Sequence, residues 1–371
     1  MDRGFGKPKE SKLSLFGQLT SWFRRHPPPV TGGVAQGRGA VDHILILDGT
    51  LSSLAPGAET NVGLIFKLLS EVHPARRRSL YYEAGVQWES WQHLADVAQG
   101  RGINRQIRRA YGYLASHYTP GDRIFLIGYS RGAFAVRSLA GVIDQIGLLQ
   151  KDHATERNVQ LAYRHYQRDP ERVSARAFAR RFCHTDTPIE MVGVFDTVKA
   201  LGIRLPILWM LTEAKHAFHS HRLGRHIKHG FHALALDETR VVFEPILWVC
   251  PPDWQGNVEQ VWFRGAHADV GGQVGRNNAV RGLSNIPLVW MLERMEGCGL
   301  DLPEGWRGRF LCDPKAPSLG TWRGLRAVFL LRRKRVWGRD RSETLHPSVL
   351  EVGSPAYLAR AAPDSLLEQA K

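Results

Sequence analysis

The chain has 371 residues and is 43% hydrophobic, which suits one large α/β domain or two smaller ones and excludes long disordered tracts away from the termini. Its four cysteines, Cys183, Cys250, Cys298 and Cys312, form no CxxC pair, which argues against a zinc ribbon, a thioredoxin-type site or a disulfide scaffold and for a reducing compartment. No run of 18 apolar residues occurs, Met1 to Ser21 lacks the apolar segment of a signal peptide, and the formal net charge of +15 invites anionic partners; the expected location is cytoplasmic, with a specialised secretion system as the route of any export.

Residues 1–40 read as a basic tail rich in Pro and Gly. Pro27-Pro28-Pro29 follows Arg24 and Arg25, and Gly32, Gly33, Gly37 and Gly39 oppose helix and strand alike. From His43 the pattern changes. His43-Ile44-Leu45-Ile46-Leu47 is a short apolar run ending in Asp48-Gly49-Thr50, a buried strand followed by a turn. Thr60 to Ser70 places Val62, Ile65, Phe66 and Leu69 at helical spacing, and Ser79 to Val86 reads as a second strand. Asn104 to Tyr118 is a helix with Ile107, Tyr111 and Leu114 on one face, stopped near Pro120-Gly121. Arg123 to Ile127 is an apolar strand, and a helix runs from Ala133 to about Ile146. Ile189 to Phe195 and Val258 to Arg264 are further strands, and Asn285 to Met295 is a helix. Strands alternate with helices, and the strands are continuous apolar runs. That is the pattern of a mostly parallel sheet covered on both faces.

Between the strand at Arg123 and the helix at Ala133 stands Gly128-Tyr129-Ser130-Arg131-Gly132, which fits G-x-S-x-G. A sharp strand-to-helix turn holds such a serine in a strained backbone conformation, and small residues must flank it because strand and helix crowd there. Gly128 and Gly132 occupy those places. The same turn aims the Arg131 backbone N–H at a reacting carbonyl, at a helix N-terminus that favours developing negative charge. A serine hydroxyl needs an imidazole to take its proton and a carboxylate to orient that imidazole. In the α/β-hydrolase fold the acid and then the histidine follow the serine, each at the C-terminal end of a later strand. Met191-Val192-Gly193-Val194-Phe195 ends at Asp196, and Val261-Trp262-Phe263-Arg264-Gly265-Ala266 ends at His267. Asp196 is therefore assigned as orienting acid and His267 as general base. Asp269 is a reserve for the acid, read as structural, and His346 is the reserve for the base. The Asp48-Gly49-Thr50 loop supplies Gly49 or Thr50 N–H as a second oxyanion donor, with Asp48 either in reserve or bonding its own turn.

Several stretches in family order resemble one known family. They are Leu47-Asp48-Gly49-Thr50, Gly128 to Ala133, Val194-Phe195-Asp196-Thr197-Val198, His232 to Glu238, Trp262 to Gly272, Ser284 to Met291 and Leu345 to Val349. Spanning about 42 to 350, they are similar to the α/β-hydrolase domain shared with the phospholipase effectors of bacterial type VI secretion, long catalogued as a domain of unknown function. The resemblance implies a Ser-Asp-His triad on Ser130, Asp196 and His267 and hydrolysis of phospholipid esters. It also implies a secretion apparatus or an immunity protein as partner. Gln273-Val274 departs from it, standing where a further glycine and an aromatic residue are expected.

The expected organisation is the tail over 1–40, the α/β-hydrolase domain over 41–300 and a C-terminal extension over 301–371. A helical cap insertion is expected near 201–230, carrying Leu205, Ile207, Leu208, Trp209, Met210 and Leu211. His216 and His219, or His226 and His229, share a helical face there, but no HExxH or Cys partner accompanies them, so no metal is expected. The extension concentrates Arg323, Arg326, Arg332, Arg333, Lys334, Arg335, Arg339 and Arg341, read as a solvated basic segment. Trp322, Phe329 and Trp337 interleave with it and favour an anionic membrane surface; nucleic acid is not an expected partner. Leu47-Asp48-Gly49-Thr50 is similar to the phosphatase motif DxDGT, but Ile46 stands where that chemistry needs a carboxylate. No GxxxxGK[ST] or strand-linked GxGxxG occurs. The expected function is cofactor-free cleavage of carboxylic esters, lipid or phospholipid esters foremost, through an acyl-enzyme on Ser130. The alternatives are a catalytically inactive binding or membrane-associating protein of the same fold, and an esterase acting on small soluble esters.

Overall fold

The structure is a computed structural model and describes residues 30–31, 39–72, 77–85, 101–198, 223–250, 256–322, 330–352 and 355–360. Most of the tail expected over 1–40, residues 201–222 of the expected insertion, and Arg323, Arg326 and Phe329 of the basic segment lie outside the described residues.

Eight strands among the described residues form one sheet. They are β1 (Val30–Thr31), β2 (Asp42–Leu47), β3 (Arg78–Glu83), β4 (Arg123–Tyr129), β5 (Ile189–Phe195), β6 (Ile227–Ala235), β7 (Asn257–Phe263) and β8 (Glu343–Leu345). Their order is β1-β3-β2-β4-β5-β6-β7-β8. Only β1 runs antiparallel to its neighbour; the other seven strands are parallel. This is the α/β architecture read from the sequence, with helices on both faces.

The continuous apolar runs follow from that burial. Side chains alternate across a strand, so in β2 Leu45 and Leu47 enter one core while Ile44 and Ile46 enter the other. All four are fully inaccessible, and each such side chain contributes about 1.5–3 kcal/mol. The first core is closed by α2 (Arg101–His117), α3 (Arg131–Gln145), α4 (Glu156–Arg168) and α5 (Val173–Phe182), through Ile107, Val136, Val159 and Ala175 among others. The second is closed by α1 (Asn61–Glu71) and α7 (Asn278–Gly297), through Val62, Leu69, Leu288 and Met291. Thr60 caps α1, its hydroxyl accepting from the Gly63 N–H at 3.0 Å.

One expectation changes. His229 does not share a helical face with His226: it lies in β6, where it stacks on Phe231, and His226 sits just before that strand with its ring on Asp144. The expected insertion therefore gives way to sheet before residue 230. Within the expected C-terminal extension, β8 pairs with β7 and adds a strand to the same sheet.

Candidate active site

Parallel strands deliver their C-terminal ends to one edge of the sheet, and loops from β2, β4, β5, β6 and β7 meet there. The turn after β4 is tight. Ser130 adopts φ 56°, ψ −117°, a positive φ that a serine rarely takes, and its N–H donates to Phe195 O at 3.0 Å. A Cβ on Gly132 would lie 2.0 Å from Leu47 O, and one on Gly128 would lie 2.7 Å from the Gly132 carbonyl. Both contacts are with backbone, so both glycines are sterically required. α3 starts at Arg131, whose amide belongs to the first turn of the helix, where N–H groups lack intrahelical acceptors.

The imidazole of His267 bridges two of the predicted groups. Its Nε2 lies 2.8 Å from Ser130 Oγ and its Nδ1 lies 2.6 Å from Asp196 Oδ2. All three residues are buried, at 7%, 5% and 0% exposure for Ser130, His267 and Asp196. The Tyr129 and Phe243 rings lie 5.0 and 4.8 Å from the imidazole and limit its rotation. The His267 N–H donates to Glu238 Oε2 at 3.2 Å, and Arg240 chelates Glu238 from its other side at 2.7 and 2.8 Å. His267 begins the short helix α6 (His267–Gly271) directly after β7.

Asp196 accepts four hydrogen bonds. Oδ1 takes the Ala235 N–H at 3.0 Å and Arg335 Nη1 at 2.6 Å; Oδ2 takes His267 Nδ1 and Arg335 Nη2, the latter at 3.1 Å. Burial alone would raise this carboxyl. The Arg335 charge, with the His267 and Arg335 hydrogen bonds, overcomes burial and holds it well below the usual carboxylate range. Arg335 was expected in a solvated basic segment. It is instead 8% exposed, because its guanidinium replaces water with Asp196 and with the carbonyls of Ala235 and Phe243. Nearby, the buried His232 accepts the Thr197 N–H on Nε2 at 3.1 Å, and burial pushes its pKa down to about 3.

The reserve residues have other partners. Asp269 accepts from the Ala266 N–H, the Ser318 hydroxyl and the Leu319 N–H, tying α6 to the chain beyond α7. His346 shares a hydrogen bond with the Ser348 hydroxyl at 2.8 Å, caps α8 (Pro347–Glu351) and stacks on Phe263; burial pushes its pKa down to about 4. Asp48 accepts from the Gly49 N–H at 2.6 Å and from the Thr60 and Tyr82 hydroxyls at 2.7 Å each. The expectation for Gly49 is corrected accordingly, since its amide is taken by Asp48. Thr50 N–H has no acceptor among the described residues, and Gln273 holds this loop by donating to Thr50 O at 2.9 Å.

Residues 42–294 match the family model described as the type VI secretion phospholipase effector Tle1-like catalytic domain. The chain belongs to this family. Tle1-like domains are hydrolases by that description, and the matched stretch runs from β2 to within α7, so Arg335 lies beyond it. An uncharacterised protein of Saccharomyces cerevisiae is 28% identical over 56% of this chain and 33% of its own length. An uncharacterised protein from Pseudomonas aeruginosa is similar at 17% identity, covering 74% of this chain and 49% of that one, with a TM-score of 0.40. A Tle1 effector bound to the VgrG spike is similar at 17% identity over 63% of this chain and 51% of its own, with a TM-score of 0.31. A butyrate-bound esterase from Thermogutta terrifontis gives 13% identity, 75% and 91% coverage and a TM-score of 0.38. The chain spans about a third of the curated relative and about half of the first two of these solved structures.

The residues that sequence reasoning missed are Arg335, Glu238 and His232. Glu238 and His232 lie in a stretch matched to the family, but their types gave no catalytic signal. Arg335 was hidden in a run of like charges.

Proposed function

We propose that this Tle1-like domain cleaves carboxylic esters, with phospholipid acyl esters as the substrate class, through an acyl-enzyme on Ser130. The observation that carries the reading is the unbroken line from Ser130 Oγ to His267 to Asp196, at 2.8 and 2.6 Å. In the first step His267 Nε2 takes the hydroxyl proton as Ser130 Oγ attacks the ester carbonyl. Asp196 holds the Nδ1–H tautomer and stabilises the imidazolium that forms. The Arg131 and Thr50 amides receive the oxyanion. The imidazolium then protonates the leaving alcohol, and water repeats the sequence in reverse to release the acid. Every proton transfer uses a side chain of the chain itself. The strained φ of Ser130 supports the same reading, because a costly backbone conformation persists where a function requires it. Family membership supports phospholipid as substrate and a type VI secretion apparatus as the partner for export.

The test is labelling with a fluorophosphonate, which reacts only with an activated serine, followed by turnover of phospholipid vesicles and of a short-chain nitrophenyl ester. The wild type is expected to label and to release fatty acid from vesicles, and Ser130→Ala and His267→Ala to do neither. A folded wild type that does not label would leave a non-catalytic, membrane-associating role. Labelling with turnover of the short ester alone would make the protein an esterase on soluble substrates.

A further inference from the structure

We infer that Arg335, delivered by the segment after residue 330, is a positioning residue of this site, clamping Asp196 and setting the pH at which His267 acts as base. The inference rests on the serine-hydrolase reading above. Its geometry is that of a fork on a fork: two guanidinium nitrogens meet two carboxylate oxygens at 2.6 and 3.1 Å, both partners being buried. Such a pair fixes the carboxylate plane as well as its charge. The guanidinium is itself fixed, because Nη1 also donates to Ala235 O at 2.7 Å and Nη2 to Phe243 O. Ala235 ends β6 and Phe243 carries the ring against His267, so one side chain ties together the acid, a strand end and the wall of the imidazole. On its far side Arg335 lines a cavity of about 330 Å³, together with Glu238, Arg240 and Trp262.

The electrostatic consequence has a definite sign. A buried carboxylate facing imidazole draws a proton onto the pair. Here Arg335 balances that carboxylate, so a proton arriving on His267 meets a nearly neutral dyad instead of a net negative one. Among the described residues, the other charged groups around the pair include Asp269 in α6, held by the Ala266 and Leu319 N–H groups and the Ser318 hydroxyl, and Arg131 in α3, beside Ser130. Glu238 and Arg240, after β6, neutralise each other at 2.7 Å; His232 in β6 stays uncharged near neutrality; and Arg137 in α3 adds positive charge beside His232. None of them replaces the charge of Arg335 on the carboxylate. Removing Arg335 therefore raises the affinity of the Asp196–His267 pair for a proton and moves the acidic limb of activity to higher pH. The site then depends on a residue 139 positions from its acid and outside the family-matched stretch.

The experiment measures the rate of fluorophosphonate inactivation against pH for the full chain as wild type, Arg335→Met and Arg335→Lys. Arg335→Met is expected to shift the acidic limb up by about one pH unit or more. Arg335→Lys keeps the charge without the fork; its limb should stay near the wild-type limb while its rate falls about tenfold. A folded Arg335→Met with the wild-type limb would overturn the inference. If Arg335→Met does not fold, Arg335→Lys decides: a wild-type rate overturns it, and a slower rate with an unmoved limb supports it. If the folded wild type does not react at any pH, the serine-hydrolase reading falls instead, and histidine ¹⁵N NMR of wild type and Arg335→Met follows the same proton. Ring signals that do not differ between them would overturn the clamp as well.

Discussion

Asp48 and Asp196 follow parallel strands β2 and β5 of the same sheet, and both are essentially inaccessible, at 1% and 0% exposure. Their carboxyls nevertheless behave in opposite ways. Burial pushes Asp48 up to about 6, because its donors, the Tyr82 and Thr60 hydroxyls and the Gly49 amide, are all uncharged. Asp196 carries the same penalty of burial and still lies well below the ordinary range, because Arg335 adds a full charge to its hydrogen bonds. Neutral donors soften desolvation, and a charged partner reverses it. The first carboxyl shapes a loop; the second stays ionised, as the proposed role of orienting an imidazolium requires.

The sharpest way to break this contrast is Asp196→Asn. It removes the charge and offers an amide in place of the acceptor that fixes the His267 tautomer, so ester turnover should fall by about 10⁴-fold. A loss below tenfold in a steady-state assay would show that Asp196 does not orient the base. Asp48→Asn probes the other side through stability. Between about 4, the ordinary carboxylate value, and about 6, folded Asp48 holds a proton that the unfolded chain has released. Stability from this group therefore falls as pH rises through that window, by about 3 kcal/mol in all. Urea unfolding from pH 4 to 7 should show that loss in the wild type and a flatter curve in Asp48→Asn. Parallel curves would assign the slope to another group. For Asp196 the sign is opposite: its contribution is complete above the ordinary carboxylate value and is lost as pH falls below it. The smallest effect belongs to His346→Ala, which removes the cap of α8 and should cost about 1 kcal/mol while leaving turnover within about twofold. A large loss of turnover there would make His346 part of the site.

What was legible in the sequence was mostly local. β2, β4 and β5 each contain an apolar run of four residues or more, and the turn at Ser130 needs only the strand, glycine and helix on either side of it. α7 begins at Asn278, seven residues before the expected Asn285, because its first two turns carry Gly282 and only two large apolar side chains, Val280 and Leu283, too few to mark a helical period. β6 escaped notice since Lys228, His229 and Gly230 break its apolar pattern at the start, and β8 is only three residues long. The Gly49 amide was misassigned because its acceptor, the preceding side chain, was equally free to point elsewhere.

By itself the sequence determined strands β2, β3, β4, β5 and β7, the strained elbow with its two obligatory glycines, and the candidates Asp196 and His267 at strand ends. Each of these follows from neighbours within a few residues, where backbone sterics and side-chain alternation act directly. Only the tertiary structure decided which of several carboxylates and histidines meet Ser130, and that Arg335, one of eight clustered basic residues, leaves water to meet Asp196. Those choices depend on the order in which the sheet lays its strands side by side. A charge costs so much to bury that its place is settled by the counter-charge the fold brings within reach, here Asp196, 139 residues away.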